Sequence, residues 1–182
     1  MSPRLKSLDD VLVKYRSIFD SLNSQSDMIC AVVTTAYLEH LLGSMLQTHF
    51  VGNGTATNLL GENGPLGTLS NRARLCYCLG FISSGCMDTI VLIGIIRNAL
   101  AHGLGEETFD SPTSASDCRK LKSPFLMPSP IPENYEPMEI ERAVTASPRW
   151  QFKTTMALLC STVSLASYNI KKAEKATDLW GP

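Results

Sequence analysis

Long apolar runs are missing from this sequence. The most apolar stretch, Ile90 to Ile96, is closed off by Asp88 on one side and Arg97 on the other. It falls far short of the ~20 residues that a bilayer-spanning helix needs. We expect it to be a buried part of a core helix, with no membrane contact. An excess of charge of either sign is missing too: 16 Lys and Arg stand against 17 Asp and Glu, a formal net charge of −1. Non-specific nucleic-acid binding draws on a strong positive field, so direct DNA binding is not expected. The sequence also lacks a phosphate-binding glycine loop, a His-Glu-x-x-His pair and a serine elbow. No cofactor and no metal are therefore expected. Strand-period alternation does not persist over any useful length, and there is no internal repeat.

Cysteine is present, in six copies (Cys30, Cys76, Cys78, Cys86, Cys118 and Cys160), but nothing organises it. The spacings are irregular, and the segment Met1 to Asp10 has no apolar stretch of the export type. Reduced thiols and a cytoplasmic location are the expectation. Cys76-x-Cys78 with Cys86 is a weak zinc signal, because residues two apart on a helix point about 200° apart and no second ligand pair follows.

What is there is helical material. With 182 residues, 44% of them hydrophobic, the chain can bury a core that needs no staples. The expected fold class is all-α, a single-domain helical bundle of about five main helices with a proline-rich arm. Residues 1–182 make one helical domain, with its core at about 7–122 and 148–176 and the arm at about 123–147. The first helix follows a capping box at Ser7-Leu8-Asp9-Asp10 and repeats Val11, Leu12, Tyr15, Ile18, Phe19 and Leu22 at helical spacing. A second begins near Ser26-Asp27 and runs to about Phe50. It is apolar around much of its surface, so it belongs in the middle of the bundle.

Residues 51–67 turn to glycine, asparagine and threonine and read as a loop with a short apolar anchor at Leu59-Leu60. Asn53-Gly54-Thr55 reads as a turn. A third helix starts near Thr68 or Ser70, with Gly80 allowing close packing or beginning the turn. A fourth runs from about Cys86 to His102, and Gly103 is its expected left-handed stop. Seven of the ten prolines fall between Pro112 and Pro148, leaving room there for one short helix near Ser114 to Lys122. The last helix opens with Ser147 as cap and Pro148 in its first turn. Its apolar positions run from Phe152 to Ile170, and Lys171, Lys172 and Lys175 sit at its C-terminal end.

Three charged residues lie on apolar stripes. Glu39 shares a face with Val32, Thr35, Leu42 and Leu46, Arg72 stands among Leu69, Leu75, Cys76 and Leu79, and Arg97 lies between Ile93 and Leu100. Unpaired charges are costly to bury. Glu39, Arg72 and Arg97 are therefore expected to form a structural polar core, Glu39 pairing with one or both arginines. The end of the fourth helix has a sharper reading. Asn98 and His102 stack on one face, while Arg97 is about 140° around from His102. An arginine that holds a phosphate and a histidine that moves a proton are the minimum for metal-independent RNA cleavage. This Arg-x4-His spacing, with a polar residue directly after the arginine, resembles the motif of HEPN domains. What that resemblance implies is a dimeric ribonuclease or toxin-like effector with Arg97, Asn98 and His102 as catalytic residues and RNA as substrate.

A longer set of blocks carries a second resemblance. Pro65-Leu66-Gly67-Thr68-Leu69-Ser70-Asn71-Arg72 is followed by Leu79-Gly80-Phe81-Ile82-Ser83. Ile96-Arg97-Asn98 through His102 comes next, then Phe109-Asp110 with Cys118 and Leu121. Together with Glu39 ahead of Leu41-Leu42, these resemble successive blocks of the mannitol operon repressor family over about residues 30 to 122. Ala99-Leu100 replaces a more polar or aromatic pair, and the arm at Pro124 to Pro137 is particular to this chain. The resemblance implies an all-helical repressor or co-regulator tied to sugar-alcohol operons. It would have no DNA-reading module and act through a protein partner, a transcription factor or a phosphocarrier-like protein. A homodimer is expected on either view.

Overall fold

The computed structural model describes residues 22–52, 54–103, 106–121 and 147–174. Both the first helix expected before Leu22 and the proline-rich arm lie outside them. The described residues form six α-helices and no strand: α1 (Asp27–His49), α2 (Gly54–Leu60), α3 (Leu69–Cys78), α4 (Ser84–His102), α5 (Pro112–Lys120) and α6 (Pro148–Ser167). The all-helical class expected from the sequence is what the structure shows.

Local chemistry starts most of these helices. Ser26, Thr68 and Ser83 each accept a hydrogen bond from the backbone N–H three residues on, at Ile29, Asn71 and Cys86, which satisfies one of the orphan donors of a first turn. Ser147 precedes α6 as expected but makes no side-chain cap, so Pro148 alone marks that start. The left-handed stop belongs to a different glycine. Gly103 has φ −70°, whereas Gly80 has φ +73°. Around it Phe81 N–H bonds the Cys76 carbonyl and Gly80 N–H the Tyr77 carbonyl, both at 2.9 Å, a Schellman ending for α3. Gly103 is needed for another reason: a Cβ there would lie 2.4 Å from the Cβ of Glu107, where the chain folds back on the helix end.

Two segments also differ from the expected helix bounds. The Gly-Asn-Thr segment is not all loop, because Gly54–Leu60 closes into a short helix whose Ala56 is buried. The last helix stops at Ser167, before Ile170. Tyr168, Asn169 and Ile170 donate to carbonyls three residues back, which tightens the final turn. Beyond it His49 Nδ1–H bonds the Lys171 carbonyl at 2.8 Å and Ala173 N–H the His49 carbonyl at 2.7 Å. The chain is thereby drawn onto the end of α1, and Lys171 and Lys172 lie past the helix.

α1 is the central element, packed against α2, α3, α4 and α6, while α5 bridges α4 and α6. By length and hydropathy α1 and α4 would each reach across a bilayer. Within the bundle they turn Leu38, Leu42, Met45, Ile90, Ile93 and Ile96 into one fully buried core with Phe109, Phe152 and Met156.

Candidate functional site

Arg72, in the first turn of α3, reaches three main-chain carbonyls. Nε donates to Leu66 (2.7 Å), Nη1 to Glu39 (2.9 Å) and Nη2 to Leu60 (2.8 Å). Leu60 ends α2, where a helix leaves carbonyls without an intrahelical partner. The Glu39 carbonyl lies in mid-helix and offers a second lone pair. It is open to approach because the residue one turn on is Gly43, where a Cβ would lie 3.0 Å from Nη1. The guanidinium thus ties α1, α2 and the 61–67 turn to the start of α3. A shallow depression of about 420 Å³ opens beside it, lined by His40, Gly43, Ser44, Gln47, Thr48 and Arg72.

The structure therefore brings Arg72 to Glu39 through the backbone of Glu39 and not through its carboxylate. Among the described residues Glu39 forms no ion pair with Arg72 or Arg97. The physical reason is twofold. Arg72's planar fork is filled by carbonyls, and Glu39 is only half-buried, so the desolvation that called for a partner is incomplete.

Arg97, also half-buried, and exposed Asn98 line a second depression of about 310 Å³, between the start of α3 (Thr68, Ser70) and α4 (Val91, Gly94, Ile95). His102 is exposed at the helix end and is not part of that lining. Within one copy the groove offers an arginine, an amide and two hydroxyls that can hold an anion, and the proton-moving group of the RNA-cleavage reading, His102, lies outside its lining. No group of three or more His, Cys, Asp and Glu side chains is placed to hold a metal among the described residues.

The more deeply covered of the two ion pairs among the described residues is one that sequence reasoning missed. Asp27, at the start of α1, pairs through Oδ1 with Arg149 Nη1 and accepts Phe109 N–H on Oδ2 at 2.9 Å. Arg149 Nη2 also donates to the carbonyls of Leu22 (2.9 Å) and Gln25 (2.7 Å). Lys153, one turn further along α6, bonds Asn23 Oδ1. One signal was visible: an arginine just after Pro148 sits at the positive end of its own helix dipole, where a cation is unfavourable unless an acid elsewhere holds it.

The cysteines behave as core residues. Cys30, Cys76, Cys86, Cys118 and Cys160 are buried and only Cys78 is exposed, all with free thiols. Burial pushes the Cys76, Cys118 and Cys160 thiols up to about 12 and Cys86 to about 11. Since the thiolate is the reactive form, native protein should titrate one fast thiol with a disulfide reagent at pH 8, and six after denaturation. The same shifts have a stability consequence. Their contribution is complete below pH ~9, where the unfolded thiols are also protonated, and it is lost as pH rises from there through the folded values of about 11 to about 12. Denaturation midpoints should fall across that alkaline window, and an unchanged midpoint in a variant with the buried cysteines replaced by alanine or serine would confirm the source.

No curated protein is significantly similar to the chain. A solved structure of the MtlR–HPr complex from Escherichia coli contains a chain of the same fold, with a TM-score of 0.57 and 22% identity, covering 86% of this chain and 98% of that one. The family model described as mannitol repressor, MtlR, matches residues 14–172. That span takes in every described helix, including the arginine clamp, the Asp27–Arg149 pair and the α4 terminus, and by it the chain belongs to the mannitol repressor family.

Proposed function

We propose that this chain is a transcription-linked regulator of sugar-alcohol metabolism, a cytoplasmic homodimer that represses or co-regulates by binding another protein. The observation that carries the reading is the family match over residues 14–172. The shared fold with the chain from the MtlR–HPr complex supports a specific partner class, a phosphocarrier protein of the HPr kind. Near-balanced charge favours a protein partner over a nucleic-acid backbone, which needs several cationic contacts at once. The ribonuclease reading stays the alternative: within one copy His102 does not line the depression beside Arg97, so it needs two copies to bring Arg97 and His102 together, and RNA cleavage unchanged by Arg97→Ala and His102→Ala would remove it.

Calorimetric titration of the purified full chain with the HPr of its host tests the partner. We expect saturable binding with a dissociation constant on the order of 1–10 µM, about −7 to −8 kcal/mol. Absence of heat and of co-elution at concentrations about tenfold higher would remove the phosphocarrier from the reading.

A further inference from the structure

The outward line of α4 is apolar at its middle and ionisable at both ends. Asp88, Val91, Ile95, Asn98 and His102 recur at alternating steps of three and four and so lie along one face. All but Val91 are exposed. Ile95 is 52% exposed, more than any other large apolar side chain among the described residues. The middle of the line is apolar, with half-buried Val91, Leu92 and Ala99 beside Ile95. Its ends are ionisable and opposite in kind: an acid seven residues before Ile95 and a histidine seven after.

We propose that a second copy of this chain docks on this line, antiparallel and with the two-fold axis passing at Ile95. An isologous contact requires a patch to complement itself. About an axis at Ile95, Asp88 of each copy lies opposite His102 of the other, Val91 lies opposite Ala99, Asn98 lies at the edge opposite half-buried Leu92, and the two Ile95 side chains meet. The depression of about 310 Å³ that borders Ile95, between α4 and the start of α3, lies beside this axis and leaves room for the paired isoleucines. A helix pair packs by setting the ridge of one into the groove of the other, and here one element carries both. An unrelated partner would not call for acid and base at equal distances from a central isoleucine. The inference rests on the homodimer named above and gives that dimer its surface. It is independent of the phosphocarrier.

Sedimentation of the full chain over a range of concentrations tests it. Wild type should be dimeric, and Ile95→Arg, which sets two like charges against each other on the axis, should be monomeric where wild type is dimeric, a weakening of roughly 100-fold or more. Asp88→Lys should weaken the dimer about tenfold, and Asp88→Lys combined with His102→Glu should restore it. Both positions are exposed, so unchanged thermal unfolding of the monomeric form would show that the fold is intact. With Cys78→Ser in the background, Ile95→Cys should give a covalent dimer in air with a copper catalyst, two thiols being oxidised to one disulfide by oxygen. A monomeric wild type overturns both the surface and the homodimer, and leaves the phosphocarrier to its own titration. A dimer that survives Ile95→Arg overturns the surface alone. If wild type is monomeric and Ile95→Arg abolishes HPr binding, the line belongs to that partner and the proposal is wrong.

Discussion

Replacing Arg72 by methionine is expected to lower stability by about 3 kcal/mol and the melting temperature by roughly 6–12 °C. Methionine keeps most of the packing of the arginine stem and removes the donors to Leu60, Leu66 and Glu39. The first two carbonyls then sit in a half-buried turn with one partner fewer, and each unsatisfied group costs about 1–3 kcal/mol. The Glu39 carbonyl should matter least, since the α1 ladder still uses it. The geometry makes a sharper forecast at Gly43. A valine there would occupy the space held by the guanidinium, because even a bare Cβ comes within 3.0 Å of Nη1. Gly43→Val should therefore remove much of what Arg72 contributes. In that background Arg72→Met should cost about 1 kcal/mol or less. Additive losses in denaturant titrations of the four proteins would mean that Gly43 is not there for the arginine.

Asp27→Ala is expected to cost about 3 kcal/mol. One carboxylate holds the Arg149 guanidinium and the Phe109 N–H together, so its loss strands a partly buried cation and a main-chain donor beside the buried Phe109 and Phe152 rings, 4.9 Å apart. Both partners of the ion pair are largely covered, with side-chain exposures of 25% for Arg149 and 18% for Asp27. The loss should thus approach the 3–5 kcal/mol of a fully buried broken pair and exceed the surface value of about 1 kcal/mol or less. Asp27→Asn keeps an oxygen that can accept from Phe109 and loses the charge, so about half the effect should remain. Arg149→Ala should resemble Asp27→Ala, since it frees the Leu22 and Gln25 carbonyls. If urea unfolding shows either change to be within about 0.5 kcal/mol of wild type, the contact is a surface decoration.

The lesson of these two sites is about range. The starts of α1 and α3 were legible because a cap is a contact between residues three apart, and Ser26 and Thr68 stand where that chemistry puts them; α4 was expected from about Cys86 and starts two residues earlier, at Ser84, behind the Ser83 cap. The central place of α1 was legible from its apolar circumference. Family membership was readable for a related reason: the blocks that carry the resemblance, such as Pro65 to Arg72, are short local stretches, and this one holds the turn, the cap and the arginine of the clamp. The short α2 was not legible, since Gly54-Thr55-Ala56-Thr57-Asn58 has weak helix propensity and is held by what lies above it. The end of α6 at Ser167 was missed because His49, far away in sequence, captures the chain that follows.

By itself, then, the sequence determined the all-helical class, most of the helix starts, the reduced thiols of the core and the family. All of these depend on neighbours within a turn or two, or on composition. Only the tertiary structure decided where the charged side chains go. Arg72 meets the backbone of a residue 33 positions away and Arg149 an acid 122 positions away, and helical periodicity says which face a residue lies on but not what that face meets.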